Sequence, residues 1–432
     1  MEQNELRALE DQCIQEHAPP CSAACPIHVD VRGVLAALAQ DDFDAALQLL
    51  VKRLPFPGII GRVCEAPCRA VCNRKDAGDA LQIAALEQAC ADYGARSGRK
   101  GPTPHRGKRV AVVGGGLSGV TVAFDLARKG VGITLFEATE RLGGALWETP
   151  EAILPRDLLA AELSQVLNKG VEVRLNSPVD ADRLAELQAD FDAVYLGVGT
   201  GPQAAFAAEL VGEVDPVTFA TVREGVFAAG RAVDEAPAFI NSVSTGRRAA
   251  TSIDRYLQNV SLTASRVKEG SYTTRLYTSL EGIAPAPAVE PAAPDPGYTR
   301  AEAVEEAQRC IQCECMECVK VCAYLEHYGS YPKQYVRQIY NNLSIVMGER
   351  QFNTLINSCS LCGLCREICP NDLNMATVCR QARQTMVAQD RMPPSAHDFA
   401  LRDMAFSNSD AARLARPAPG TEACDYVFFP GC

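Results

Sequence analysis

Little in this chain suits it to a membrane or to nucleic acid. No uninterrupted apolar run approaches the roughly 20 residues that span a bilayer. The first twenty residues, MEQNELRALEDQCIQEHAPP, are polar and acidic where a signal peptide is basic and then apolar. Positive charge is in deficit, with 42 Lys and Arg against 53 Asp and Glu and a formal net charge of −11. That balance disfavours a phosphate backbone as partner. These absences imply a cytoplasmic protein with no transmembrane segment and no nucleic-acid partner. Cysteine is missing between Cys90 and Cys310, so no redox-active thiol pair serves the middle of the chain. A GxGxxG motif occurs only once in the 432 residues, a length that suits two to four domains.

That single motif has its context. Val110-Ala111-Val112-Val113 reads as a strand, Gly114-x-Gly116-x-x-Gly119 as a turn opening a helix, and Leu135-Phe136-Glu137 as the end of a second strand. The first glycine permits the tight turn and the second lets backbone approach a pyrophosphate. The third lets helix and strand pack closely, while Glu137 is placed for a ribose hydroxyl. A further pair, Gly143-Gly144, with Leu146 beside it, suits the longer FAD rather than NAD.

Nineteen cysteines decide the class. In a long chain without a secretion signal, clustered Cys-x2-Cys spacings point to metal rather than disulfides. Cys13-x2-Glu16-x4-Cys21-x3-Cys25 recurs as Cys310-x2-Cys313-x4-Cys318-x3-Cys322, every matched position offset by 297. Glu16 thus stands where the second copy has a cysteine. Cys359-x2-Cys362-x2-Cys365-x3-Cys369-Pro370 is a bacterial ferredoxin run, whose fourth cysteine serves the other cluster of a pair. The expected sets are Cys310, Cys313, Cys318 and Cys369, and then Cys322, Cys359, Cys362 and Cys365. Cys315 is surplus and an alternative to Cys318. His28, His327 and His397 are expected in packing or at the surface.

The first motif, with Cys64-x3-Cys68-x3-Cys72 and a helix over 80–93, resembles the N-terminal dicluster domain of the glutamate synthase small subunit and dihydropyrimidine dehydrogenase. The resemblance implies two [4Fe–4S] clusters. One would take Cys13, Cys21 and Cys72 with Glu16; the other would take Cys25, Cys64 and Cys68 with Glu87, for which Cys90 competes. Residues 108–260 resemble the FAD half of two-dinucleotide-binding flavoproteins, with Thr200, Gly201 and Gly230 as further flavin contacts. That family inserts an NAD(P)H domain between the last two glycines; here only 28 residues separate them, which implies its deletion. Arg231 stands where the family has Asp. The 310–369 motifs resemble the all-helical ferredoxins of heterodisulfide reductase and succinate dehydrogenase. Phe429-Pro-Gly-Cys432 resembles the opening of a heterodisulfide-reductase-type cysteine-rich domain, cut short at its first cysteine.

The expected fold is multidomain α/β plus α. Residues 1–100 form a helical dicluster domain, 108–260 a Rossmann-like FAD domain, and 261–299 a possible hairpin with a Pro/Ala linker. A two-cluster ferredoxin domain follows at 300–392, then a C-terminal segment at 393–432. The expected function is an iron–sulfur flavoprotein of anaerobic metabolism. It would pass electrons between FAD and up to four [4Fe–4S] clusters to a redox partner, such as a ferredoxin or a heterodisulfide-reductase-like cysteine-rich protein. An NAD(P)H-dependent reductase and a non-catalytic assembly subunit stand as alternatives. No catalytic residue is nameable.

Overall fold

The glycine motif sits at the centre of a five-stranded parallel sheet. In the computed structural model, residues 2–95, 104, 106–167, 169–199, 212–230, 238–292, 297–345, 351–391, 398–412, 417, 419–423 and 425–426 are described. Strands β1 (Arg109–Val113), β2 (Gly132–Phe136), β3 (Glu172–Arg174), β4 (Ala193–Leu196) and β5 (Val226–Ala228) lie in the order β3-β2-β1-β4-β5. Every pairing is parallel, with Val112 opposite both Leu135 and Tyr195. β1, β2 and β4 are almost wholly apolar because helices cover both faces. Strand order reverses at β1, so a crevice opens beyond the carboxyl ends of β1 and β4, where dinucleotides bind in such sheets.

By contacts the chain divides into two compact units, one of Ile14–Cys315 and the other of Met1–Cys13 with Met316–Cys432. This division does not follow the linear segments expected above. In the larger unit one core runs from the N-terminal helices through the sheet. Helices Val31–Leu38 and Phe43–Leu50 start at Asp30 and Asp42, whose carboxylates accept the Gly33 and Ala45 amides at 3.0 and 2.8 Å. Each such cap is worth about 1 kcal/mol. The faces they bury include Leu35, Leu38, Phe43 and Leu50, all essentially inaccessible. Truncating one of these leucines to alanine would cost about 2–5 kcal/mol.

β5 is the sheet neighbour of β4, and among the described residues there is no second parallel sheet. Residues 261–282, expected as a hairpin, contain no strand. Their polar groups bond the N-terminal segment instead: the Tyr272 amide donates to Ala23 O at 3.0 Å, and the Ser271 and Thr274 hydroxyls to Ala24 O and Ala18 O. With those partners at hand the weak alternation never pairs with itself. The Pro/Ala stretch beyond is strapped down as well. The Asp79 amide donates to Ala286 O, the Ala286 amide to Ala77 O, and the Ala288 amide to the Asp79 carboxylate. Gly78 makes this possible, since a Cβ there would lie 2.1 Å from Ala286 O.

The smaller unit is helical and shows no strand among its described residues. Helices Gln3–Gln12, Pro332–Ser344 and Met375–Ala388 enclose Leu325, Val336, Ile339, Ile356, Cys379 and Met386. The half-exposed Arg337–Glu10 ion pair at 2.6 Å adds little to that burial.

Candidate functional site

The crevice at β1 and β4 is a cavity of about 590 Å³, lined by Gly114, Gly116, Glu137, Gly143, Gly144 and Leu146, among others. Gly119 packs beneath it, where a Cβ would stand 1.9 Å from Gly114 O. A Cβ on Gly116 would meet nothing within 4 Å, so backbone there faces open space. The second glycine pair closes on the first through the Gly143 amide, which donates to Gly115 O at 2.9 Å. Glu137 is buried, and its carboxylate accepts the Gly115 amide at 2.6 Å and the Thr139 amide at 2.8 Å. It therefore shapes the loop while facing the cavity. Gly230 lies outside this lining, against Ser118, and belongs to an adjoining cavity with Phe219 and Arg248. Thr200, Gly201 and Arg231 lie outside the described residues. The open pyrophosphate-sized approach at Gly116 fits a dinucleotide.

Two groups of thiols stand in the larger unit. Cys25, Cys64, Cys68 and Glu87 line one cavity. Burial pushes the Glu87 carboxyl up to about 8. Burial, then the Glu87 charge, pushes Cys64 up to about 12. Cys90 is fully buried one turn further on and does not line the cavity. The second cavity is lined by Cys21, Cys72, Cys310 and Cys313. Burial pushes Cys21 up to about 12, with Cys310, Cys313 and Cys72 each adding to the rise. Cys310 is pushed up to about 11, again by burial first. Glu16 is exposed in a turn, and Cys13 belongs to the core of the smaller unit.

In that smaller unit Cys365 lies within electrostatic reach of Cys322 and Cys359, and Cys362 within reach of Cys359. Cys318 and Cys369 pack on the same core as Cys13. Asn371 donates to Gln12 O at 3.0 Å, bringing the residue before Cys13 towards the end of the ferredoxin run. A hydrogen bond from Cys379 holds the Cys359 thiol below its ordinary range, at about 6. Cys362 is exposed, as are Val321, Leu364 and Ile368 near these thiols. Among the described residues no three Cys, His, Asp or Glu side chains converge as ligands of one metal ion. The thiols of the larger unit line cavities instead, a donor set suited to a polynuclear iron–sulfur group.

Residues 1–99 match the family model for dihydropyrimidine dehydrogenase domain II, a 4Fe-4S cluster domain. Residues 74–250 match that for pyridine nucleotide-disulphide oxidoreductase, and 309–374 that for a 4Fe-4S dicluster domain. All three matched models are of redox domains. The chain is 32% identical over 206 residues to the NADP(+)-dependent formate dehydrogenase subunit beta of Moorella thermoacetica, covering 42% of this chain and 29% of that one. It is 33% identical over 193 residues to the NADPH-Fe(3+) oxidoreductase subunit beta of Geobacter sulfurreducens, covering 43% and 29%. With the glutamate synthase [NADPH] small chain of Escherichia coli it shares 29% over 205 residues, covering 46% and 43%. The chain thus spans less than half the length of these relatives. No helix among its described residues is long and apolar enough to cross a membrane.

Three residues beside these thiols escaped sequence reasoning. Arg74 and Asn73 line the Cys21 cavity. They directly follow Cys72, so their position beside a proposed ligand was the available signal. Cys379, a lone cysteine in a helix, offered none. His28 is a packing residue as expected, its Nε2 2.6 Å from Gly270 O, while His397 lies outside the described residues.

Proposed function

We propose that this protein is an electron-transfer unit. It would bind FAD in the β1–β4 crevice and carry [4Fe–4S] clusters in both units, exchanging electrons with a redox partner. Flavin, when bound, couples two-electron to one-electron chemistry. This chain's part is to hold each redox group in surroundings that set its potential. Gly114, Gly116, Gly143, Gly144 and Glu137 would hold the dinucleotide. Cys25, Cys64, Cys68 and Glu87 would hold one cluster, and Cys322, Cys359, Cys362 and Cys365 another. The observation that carries the reading is two thiol-lined cavities in the larger unit and a further gathering of thiols on the core of the smaller one, with an open dinucleotide crevice, in a chain whose matched domains are all redox domains.

The exit to a partner would lie at Cys362. Its exposure and the exposed Val321, Leu364 and Ile368 make a small apolar surface at a thiol set. An acceptor protein needs such a surface for close approach. Anaerobic purification followed by absorbance for flavin and an iron assay per chain tests the whole reading. Protein that binds FAD and several clusters supports it; protein purified or reconstituted without either would instead favour an assembly role.

A further inference from the structure

The two copies of the Cys-x2-x-x4-Cys-x3-Cys motif invite the assumption that each serves its own end of the chain. Cys310 and Cys313 also fall inside the stretch 309–374 that matches a 4Fe-4S dicluster domain. The geometry points elsewhere. We infer that Cys21, Cys72, Cys310 and Cys313 together ligate one [4Fe–4S] cluster. The Cys-x2-Cys pair that the N-terminal motif lacks at Glu16 is supplied from the far end of the larger unit. This inference rests on the iron–sulfur reading above and deepens it.

Three independent observations carry it. The first is the cavity itself, which these four thiols line and which no carboxylate lines. The second is how the distant segment is held there. Asn73 donates to Cys313 Sγ at 3.7 Å, Arg32 to Cys313 O at 2.8 Å, and the Gln312 amide group to Arg32 O at 3.4 Å. One turn before Cys310, the Glu306 carboxylate accepts the Gln82 amide at 3.0 Å and the Val289 amide at 2.9 Å. The thiol pair is thereby fixed against Cys72 by a shell of bonds that outlasts any single contact.

The third is Arg74, which lines the same cavity and is 5% exposed. Its Nη2 donates to Ala284 O, but Nε and Nη1 find no acceptor and no carboxylate pairs with it among the described residues. A buried guanidinium without a counter-charge is costly. A cluster bearing four thiolates has the negative charge to face it.

The test is an iron count on the full chain, purified anaerobically, with flavin content as the check on folding. Cys72→Ser and Cys310→Ser should each lose one cluster's worth of iron. The double variant should lose that same single cluster and no more, whereas Cys72→Ser with Cys365→Ser should lose two. Loss of two clusters from Cys72→Ser/Cys310→Ser with flavin retained overturns the assignment. Wild-type protein without iron would overturn the iron–sulfur reading itself, a different result. A folding-independent arm uses iron-stripped wild type and a short bis-thiol crosslinker. Mass spectrometry should find Cys72 joined to Cys310 or Cys313; crosslinks of Cys72 confined to Cys13 would refute the set. Arg74→Met should keep the iron and lower that cluster's potential in a redox titration, and an unchanged potential would remove the third support.

Discussion

Glu306 and Arg309 form a buried ion pair, with Arg309 Nη1 2.7 Å from both carboxylate oxygens and Glu306 fully inaccessible. Arg309 also donates to Asp79 O and Ala286 O. The pair therefore joins the helix Arg300–Gln308, the strapped Pro/Ala stretch and the segment after Cys72. Glu306→Ala leaves a buried guanidinium without its counter-charge and two amides unmatched, a loss of about 3–5 kcal/mol. Urea denaturation should show that drop together with a lower iron content, while Glu302→Ala on the exposed side should show a much smaller change.

The crevice glycines separate binding from folding. Gly116→Val puts a side chain into open space, so the protein should fold with near-normal stability yet bind FAD at least tenfold more weakly. Gly119→Ala instead drives a Cβ into Gly114 O and should destabilise the fold by about 1–3 kcal/mol. Flavin titration and thermal melting distinguish the two. Equal flavin affinity in Gly116→Val would place the dinucleotide elsewhere.

Glu87 should make the iron-free chain sensitive to pH. Burial raises its pKa from 4.5 to about 8, so the folded state holds a proton that the unfolded state gives up. This contribution is fully present below 4.5 and is lost as pH rises towards 8, at up to about 1.4 kcal/mol per pH unit. Glu87→Gln should flatten that slope in urea titrations from pH 5 to 8. In the loaded protein, Glu87→Ala should lose or alter one cluster and leave those of the smaller unit intact. Unchanged iron and an unchanged reduced-state EPR spectrum would make another group the ligand.

Cys379 is poised to tune rather than to ligate. It is fully buried, it bonds Cys359, and Tyr324 Oη lies 3.8 Å from its sulfur. Hydrogen bonds to ligand sulfur raise a cluster's potential. Cys379→Ala should therefore keep every iron and lower one potential; loss of iron would make it a ligand.

Nicotinamide should not reduce the isolated chain. The named relatives are NADP- or NADPH-linked enzymes, but the described residues hold one parallel sheet with β4 beside β5. Dithionite or reduced ferredoxin should bleach the flavin, and NADPH should not. Rapid anaerobic bleaching by NADPH would show that a second nucleotide site exists.

Local chemistry was the legible part of this molecule. The glycines of 114–119 announce themselves because sterics forbid other residues there, and the β1 and β2 runs because both faces are buried. Cys25, Cys64, Cys68 and Glu87 lie close enough in sequence for resemblance to group them. The thiols that share a cavity with Cys72 were not legible. Copies of a motif offset by 297 residues satisfy the spacing equally well, and long-range bonds such as Asn73 to Cys313, 240 residues apart, are invisible to spacing. The failed hairpin at 261–282 has the same origin, since its hydrogen-bond partners lie in residues 18–28.

A cavity ringed by Cys21, Cys72, Cys310 and Cys313 also sets a timetable. On a ribosome, the first two thiols emerge long before the last two, so iron cannot be locked in until the flavin sheet between them has been made. Cluster insertion would then serve as a late proofreading step, closing a loop whose random closure is entropically costly. A chain arrested before Cys313 would leave Cys21 and Cys72 open to oxygen, and such nascent protein is where oxidative damage should concentrate.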